Sequence, residues 1–129
     1  MPETPSIMGL HLRYRLWIAE MNSDINILRI FDDYVTELNP KKHITAVHKG
    51  IESFEKQFAD FRKEIDELKH EMHLLKMKLA ANAKAGETID QHSYQSDNHE
   101  GLKNRYEDFR NRFDKMKVDF GEFEAKWQH

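Results

Sequence analysis

The chain contains no cysteine. That rules out disulfides, thiolate metal sites and cysteine nucleophiles, and it permits a reducing compartment. Proline and glycine are scarce, three and five among 129 residues, so little breaks the chain into short elements. An excess of either charge is lacking too. Lys and Arg number 20 against 23 Asp and Glu, a net charge of −3, whereas a nucleic-acid or polyanion binder usually carries a basic excess on one face. No nucleic-acid partner is expected. Long hydrophobic runs are also missing: the most apolar segment, residues 16–31, is interrupted by Glu20, Asp24 and Arg29 and cannot span a bilayer at low cost. Residues 1–6 have neither the basic start nor the apolar run of a secretory signal. These features lead us to expect a cytoplasmic protein with no membrane partner. It would form one domain over residues 1–129, with residues 1–4 flexible and 129 residues enough for a real core.

What the sequence does have is heptad spacing. From Pro40 onward, Ile44, Val47, Ile51, Phe54, Phe58, Phe61, Ile65, Leu68, Met72, Leu75 and Leu79 recur at alternating steps of three and four, the pattern of a long helix packed along a narrow seam. Asn39-Pro40 suits its start, and Gly86 its end. The last third repeats the pattern with Leu102, Tyr106, Phe109, Phe113, Met116, Phe120, Phe123 and Trp127, after a capping box in which Asp97 precedes Glu100. The first third gives Ile7, Leu10, Tyr14, Trp17, Met21, Leu28, Phe31, Val35 and Leu38, with Asp24 as the one polar interruption. The spacing predicts an all-α fold: an elongated antiparallel three-helix bundle or coiled coil with helices at about 5–38, 40–84 and 98–127, and a polar loop at 86–97. The short first connection implies a hairpin in which numbers across the pair total about 83, so that Ile7 lies near Leu75 and Met21 near Phe61. The third helix should then bring Phe120 near Phe58 and Trp127 near Ile51.

The first helix is apolar around more of its circumference than the others. Ile18 and Ile25 widen one side of its seam, Ile27 and Tyr34 the other, and Ile30 lies further round. A helix this widely apolar needs more than two partners. Ile18, Ile25, Ile27, Ile30 and Tyr34 are therefore the candidate interface, either with a second copy as a homodimer or with a helical protein partner.

Chemical motifs give less. Lys69 to Lys76 reads KHEMHLLK, one residue short of the His-Glu-x-x-His zinc signature. With Leu68, Met72 and Leu75 in the seam, His70 and His73 fall on the solvated side and Glu71 flanks the seam. His92 and His99 lie too far along the axis to complete a site with them. Glu67 and His70 match the Glu-x-x-His step of di-iron bundles, but they point outward and the motif is not repeated. Asp24 is expected to be replaced in the core by Ile25 as the stripe drifts by one turn. Tyr14, Trp17, Tyr106 and Trp127 read as core anchors. There is no glycine-rich phosphate loop and no nucleophile elbow. Lys103, Arg105, Arg110, Arg112 and Lys117 form a basic strip, but Glu107, Asp108 and Asp114 interleave with it. No catalytic residue, metal ligand, cofactor or small-molecule substrate is indicated.

The runs LWIAEMN (residues 16–22), FEKQF (54–58) and IDELKH (65–70) resemble a small family of uncharacterised bacterial all-helical proteins, which share a Phe-x-x-x-Phe step followed by Ile-Asp-x-Leu-Lys-His. The likeness covers the first two helices. It implies a bacterial cytosolic helical protein and carries no activity or site residue. The expectation is thus a non-enzymatic helical protein that self-associates or docks a helical partner, with a metal-binding bundle using the surface histidines as the alternative.

Overall fold

The computed structural model describes residues 6–89 and 91–127, the side chains of Gln91 and His92 excepted. Among the described residues the fold is all-α. Three long helices, α1 (Ile7–Glu37), α2 (Thr45–Lys84) and α4 (His99–Trp127), are joined by a 3-10 turn at Asn39–Lys41 and by a short helix, α3 (Gln91–Ser96). No helix is long and apolar enough to cross a membrane. The expectation that residues 1–4 are flexible, and the expected start of the first helix at about residue 5, lie outside the described residues.

Local chemistry sets the helix ends. The Ser6 hydroxyl accepts a hydrogen bond from the Gly9 amide at 2.9 Å, satisfying one of the free donors of the first turn of α1. Gly86 adopts φ +73, the left-handed turn that ends α2 where the sequence places its stop. Two expected helix starts are corrected. Asn39 and Pro40 form the 3-10 turn instead of opening α2, which begins at Thr45 after an extended Ile44. Asp97 does not close a capping box: Asn98, at φ +56, turns the chain into α4, and the Asp97 carboxylate binds Lys78 at 2.5 Å. The supposed loop at 86–97 also holds α3, whose six residues show no apolar period long enough to register in the sequence.

The core is built mostly from the heptad positions, with Ile18 added. Of the α2 series, Val47, Ile51, Phe54, Phe58, Phe61, Ile65, Leu68, Met72 and Leu79 are buried, and Ile44 and Leu75 are half-buried against them. Each large side chain removed from water contributes about 1.5–3 kcal/mol. At one end an aromatic cluster gathers around Phe120. Its ring stacks on Phe31 at 4.4 Å and meets Phe54 and Phe58 edge-on at 5.2 and 5.5 Å. Phe120 therefore lies beside Phe58, as the heptad reading requires.

Between α1 and α2 the pairing is shifted from the expected one. Lys69 reaches Asn22 and Arg62 reaches Asp32, numbers that total 91 and 94, and Ile7 lines a groove with Ala83 and Gly86, not with Leu75. The connection explains the shift. Leu38 and Lys42 keep near-helical backbone angles, so the chain travels further along α1 before it reverses.

Candidate functional site

Two polar side chains sit within the apolar core, Asp24 and His99, and both lie where α1 faces α4. A constant offset relates these two helices: Glu20 meets Tyr106 and Asp24 meets Arg110, each 86 residues on, while Tyr14 meets His99 at 85. The contacts on this seam are made by long and aromatic side chains.

Asp24 is almost fully buried and accepts two hydrogen bonds from the Arg110 guanidinium, at 2.6 and 3.0 Å. The expected drift to Ile25 does not occur. Asp24 keeps its seam position and Ile25 is half-buried beside it, because a bidentate guanidinium removes the cost that an unpaired carboxylate would carry there. Arg110 also donates to the Tyr106 hydroxyl at 2.9 Å, and Tyr106 in turn donates to Glu20. Burial acts to lower the Arg110 pKa, but the hydrogen bonds with Asp24 and Tyr106 outweigh it and the net shift is upward. Burial, then the Glu20 hydrogen bond, raises that of the Tyr106 hydroxyl. Trp17 stacks on Tyr106 at 4.7 Å, and Arg13 lies over Trp17 at 5.7 Å. The result is a ladder along the seam in which two stacked rings lie between two cations, Arg13 and Arg110.

His99 is enclosed between two tyrosines. Tyr14 of α1 and Tyr94 of α3 stack on its ring at 5.7 and 5.6 Å, and the Tyr14 hydroxyl lies 2.5 Å from its Nδ1. Nε2 faces the Asp97 carboxylate at 3.7 Å and has no hydrogen-bond partner among the described residues. A proton on Nε2 aims its N–H at that carboxylate and leaves Nδ1 to accept from Tyr14, so this tautomer suits the surroundings. Burial lowers the His99 pKa and raises that of Tyr14, and both groups are neutral at ordinary pH. The arrangement ties α3 and the start of α4 to α1. The sequence reading weighed His99 only as a metal ligand and did not pair Asp24 with Arg110. The available signal was the constant α1 to α4 offset, which sets Arg110 opposite Asp24.

The residues singled out earlier fall as follows. His70 and His73 are exposed on α2, with Glu67 exposed beside them. Partial desolvation and then Lys76, Lys69 and His70 lower the His73 pKa. The His92 side chain lies outside the description. Among the described residues no group of three or more His, Asp or Glu converges as a metal site. Each cation of the α4 strip faces a carboxylate: Lys103 with Glu107, Arg105 with Glu71, Arg110 with Asp24, Arg112 with Glu64 and Asp108, and Lys117 with Asp114. Tyr14 and Tyr106 are buried anchors, and Trp17 and Trp127 pack half-buried.

Of the candidate interface, Ile18 is buried within the fold and Ile25 and Ile27 are half-buried, whereas Ile30 and Tyr34 stand exposed. They are not alone. Met8, Leu12 and Leu16 are 62, 55 and 59 % exposed on the same helix. With the exposed Ala19 and Ser23 between the two groups, the outer surface of α1 carries uncharged residues at steps of 4, 4, 3, 4, 4, 3 and 4 from Met8 to Tyr34. That is an eleven-residue period, close to the natural turn of a straight helix. Met8, Leu12 and Leu16 went unnoticed because a heptad frame assigns them to a solvated face.

No family model, no curated protein and no solved structure matches this chain. The resemblance to a bacterial helical family rests on its three quoted runs alone.

Proposed function

We propose that this protein is a non-enzymatic interaction protein, an elongated antiparallel three-helix bundle that self-associates or docks a helical partner through the outer face of α1. The observation that carries the reading is the second apolar stripe. One side of α1 is committed to the core, and the other presents Met8, Leu12, Leu16, Ile30 and Tyr34 to solvent in one uncharged line. Isolated exposed apolar side chains are ordinary, but two apolar groups joined by small uncharged residues along one helix face mark a contact surface. The polar groups inside the core support the same reading, since Asp24, Arg110, Tyr106 and Glu20 bind one another and hold the helices in register.

Site-specific photo-crosslinking in cells of the native host tests this. A crosslinker at Leu16 should join the protein to another polypeptide chain, whether the same or different, far more than one placed at His70 on α2. Equal or absent crosslinking from Leu16 would overturn the proposal.

A further inference from the structure

We propose that α3 is an acid-released strap: protonation of His99 frees α3 and the first turn of α4 from α1, while the rest of the bundle stays folded. This goes beyond the docking reading and does not depend on it.

The closed site suits a neutral imidazole only. The His99 side chain has no exposed surface, its Nδ1 lies 2.5 Å from the Tyr14 hydroxyl, and its Nε2 has no hydrogen-bond partner among the described residues. A neutral ring accepts the Tyr14 proton at Nδ1. An imidazolium has no acceptor left, so the Tyr14 hydroxyl must turn its own proton into a buried space where no other described residue is bonded to it. The surrounding charges add to the penalty. Arg13 and Tyr14 face the ring from α1, Lys78 from α2, Tyr94 from α3 and Asp97 from the turn into α4. Asp97 is the one carboxylate among them, and its other oxygen is held by Lys78 at 2.5 Å. Two cations already stand against one anion.

α3 is the part that gives way. Its six residues are too few to hold a helix on their own. It stays in place through the Tyr94 ring on His99, through Ile89 packed half-buried before it, and through the Lys78–Asp97 pair after it, while residues 85–88 leading to it are exposed. Releasing it brings water to His99 at the loss of few apolar contacts, so this segment opens more readily than the whole chain unfolds. The aromatic cluster around Phe120 stands 21 residues further along α4, about 30 Å away, and keeps the three long helices together. Once open, the ring takes up a proton at its ordinary pKa of 6.5, and the bound proton favours the open form.

Hydrogen exchange of the full chain, read residue by residue by NMR at about pH 7.5 and about pH 5.5 and corrected for the intrinsic effect of pH on exchange, tests this. The amides of Asp97, Asn98 and Leu102 bond to the carbonyls of Ser93, Gln95 and Asn98. Their protection should fall about tenfold between the two conditions, the factor for one proton bound near pKa 6.5 in the open form alone. At both they should be less protected than Phe58 and Phe113, which exchange only when the whole bundle opens. His99→Phe keeps a ring between the tyrosines and should remove the tenfold response. Tyr94→Ala takes away the α3 half of the stack, so it should lower protection of the three amides already at the higher pH and shrink their response. A response undiminished in these variants, no response in the parent chain, or protection equal to that of Phe58 and Phe113 would overturn the strap.

Discussion

The Asp24 carboxylate and the Arg110 guanidinium meet in two parallel hydrogen bonds, at 2.6 and 3.0 Å, with Asp24 closed to water and Arg110 partly open to it. The burial is unequal, so the two partners should not be equivalent under mutation. Arg110 keeps Glu20 within reach at 2.9 Å when Asp24 is removed. Asp24 has no second cation within ion-pair distance among the described residues when Arg110 is removed.

Arg110→Met should therefore destabilise the protein by about 3–5 kcal/mol, the range for leaving a buried charge unpaired, and Asp24→Leu by less. The double variant should be more stable than the sum of the single losses predicts, because an apolar pair of similar bulk removes the desolvation cost along with the bond. Urea unfolding followed by circular dichroism, with an unchanged denaturant slope, measures all three. Equal losses for the two single variants would refute the asymmetry.

The His99 site predicts a pH dependence of definite sign. Burial lowers its pKa from the ordinary 6.5, the Asp97 carboxylate opposes the shift, and Lys78 and Arg13 reinforce it. The unfolded chain then binds a proton at a pH where the folded one does not. Stability is full above about pH 6.5 and falls as the pH drops through that value towards the folded pKa. Melting temperature should thus be lower at about pH 5.5 than at about pH 7.5, and His99→Phe, which keeps the ring between Tyr14 and Tyr94, should narrow that gap. His73→Gln should alter the gap less, since His73 is exposed. An unchanged gap in the His99 variant would remove His99 as its source.

Most of the fold could be read from the sequence, and what escaped did so for physical reasons. Apolar periodicity located the three long helices and every buried residue of α2, because burial of a stripe is what makes a long helix persist. Periodicity carries no information about axial stagger, so the α1 to α2 pairing depended on the connection, where near-helical angles at Leu38 and Lys42 displaced it. It is equally blind to polar residues in a seam. Asp24 looked like an interruption because its partner lies 86 residues away, and the burial of His99 went unread because one of the two tyrosines that enclose it comes from α3, which has no pattern of its own. The candidate interface was half legible. Ile30 and Tyr34 were found because they broadened a known seam, but Met8, Leu12 and Leu16 show themselves only once exposure is measured.

The aromatic cluster should be graded by burial. Phe120 is enclosed by Phe31, Phe54, Phe58 and Phe123, whereas Phe123 lies half-buried at its edge. Phe120→Ala should cost about 3–5 kcal/mol and Phe123→Ala distinctly less. Denaturant midpoints for the two variants check the order.

Two glycines in helix interiors should respond oppositely to the same change. Replacing an exposed helical glycine with alanine ordinarily stabilises by about 1 kcal/mol, by restricting the unfolded chain and improving helix propensity. Gly121 in α4 meets this condition, since a Cβ there would have open space around it. Gly50 in α2 does not, because a Cβ there would collide with the Phe123 ring, which is itself held against Phe54 at 5.2 Å. Displacing that ring costs about 1–3 kcal/mol, enough to cancel or exceed the helix gain. Gly121→Ala should therefore raise the melting temperature and Gly50→Ala lower it. In the Gly50→Ala, Phe123→Ala double variant the collision is gone, so Gly50→Ala made in the Phe123→Ala background should regain the stabilising sign. If Gly50→Ala still destabilises in that background, the close approach of Phe123 is not the reason for glycine at position 50.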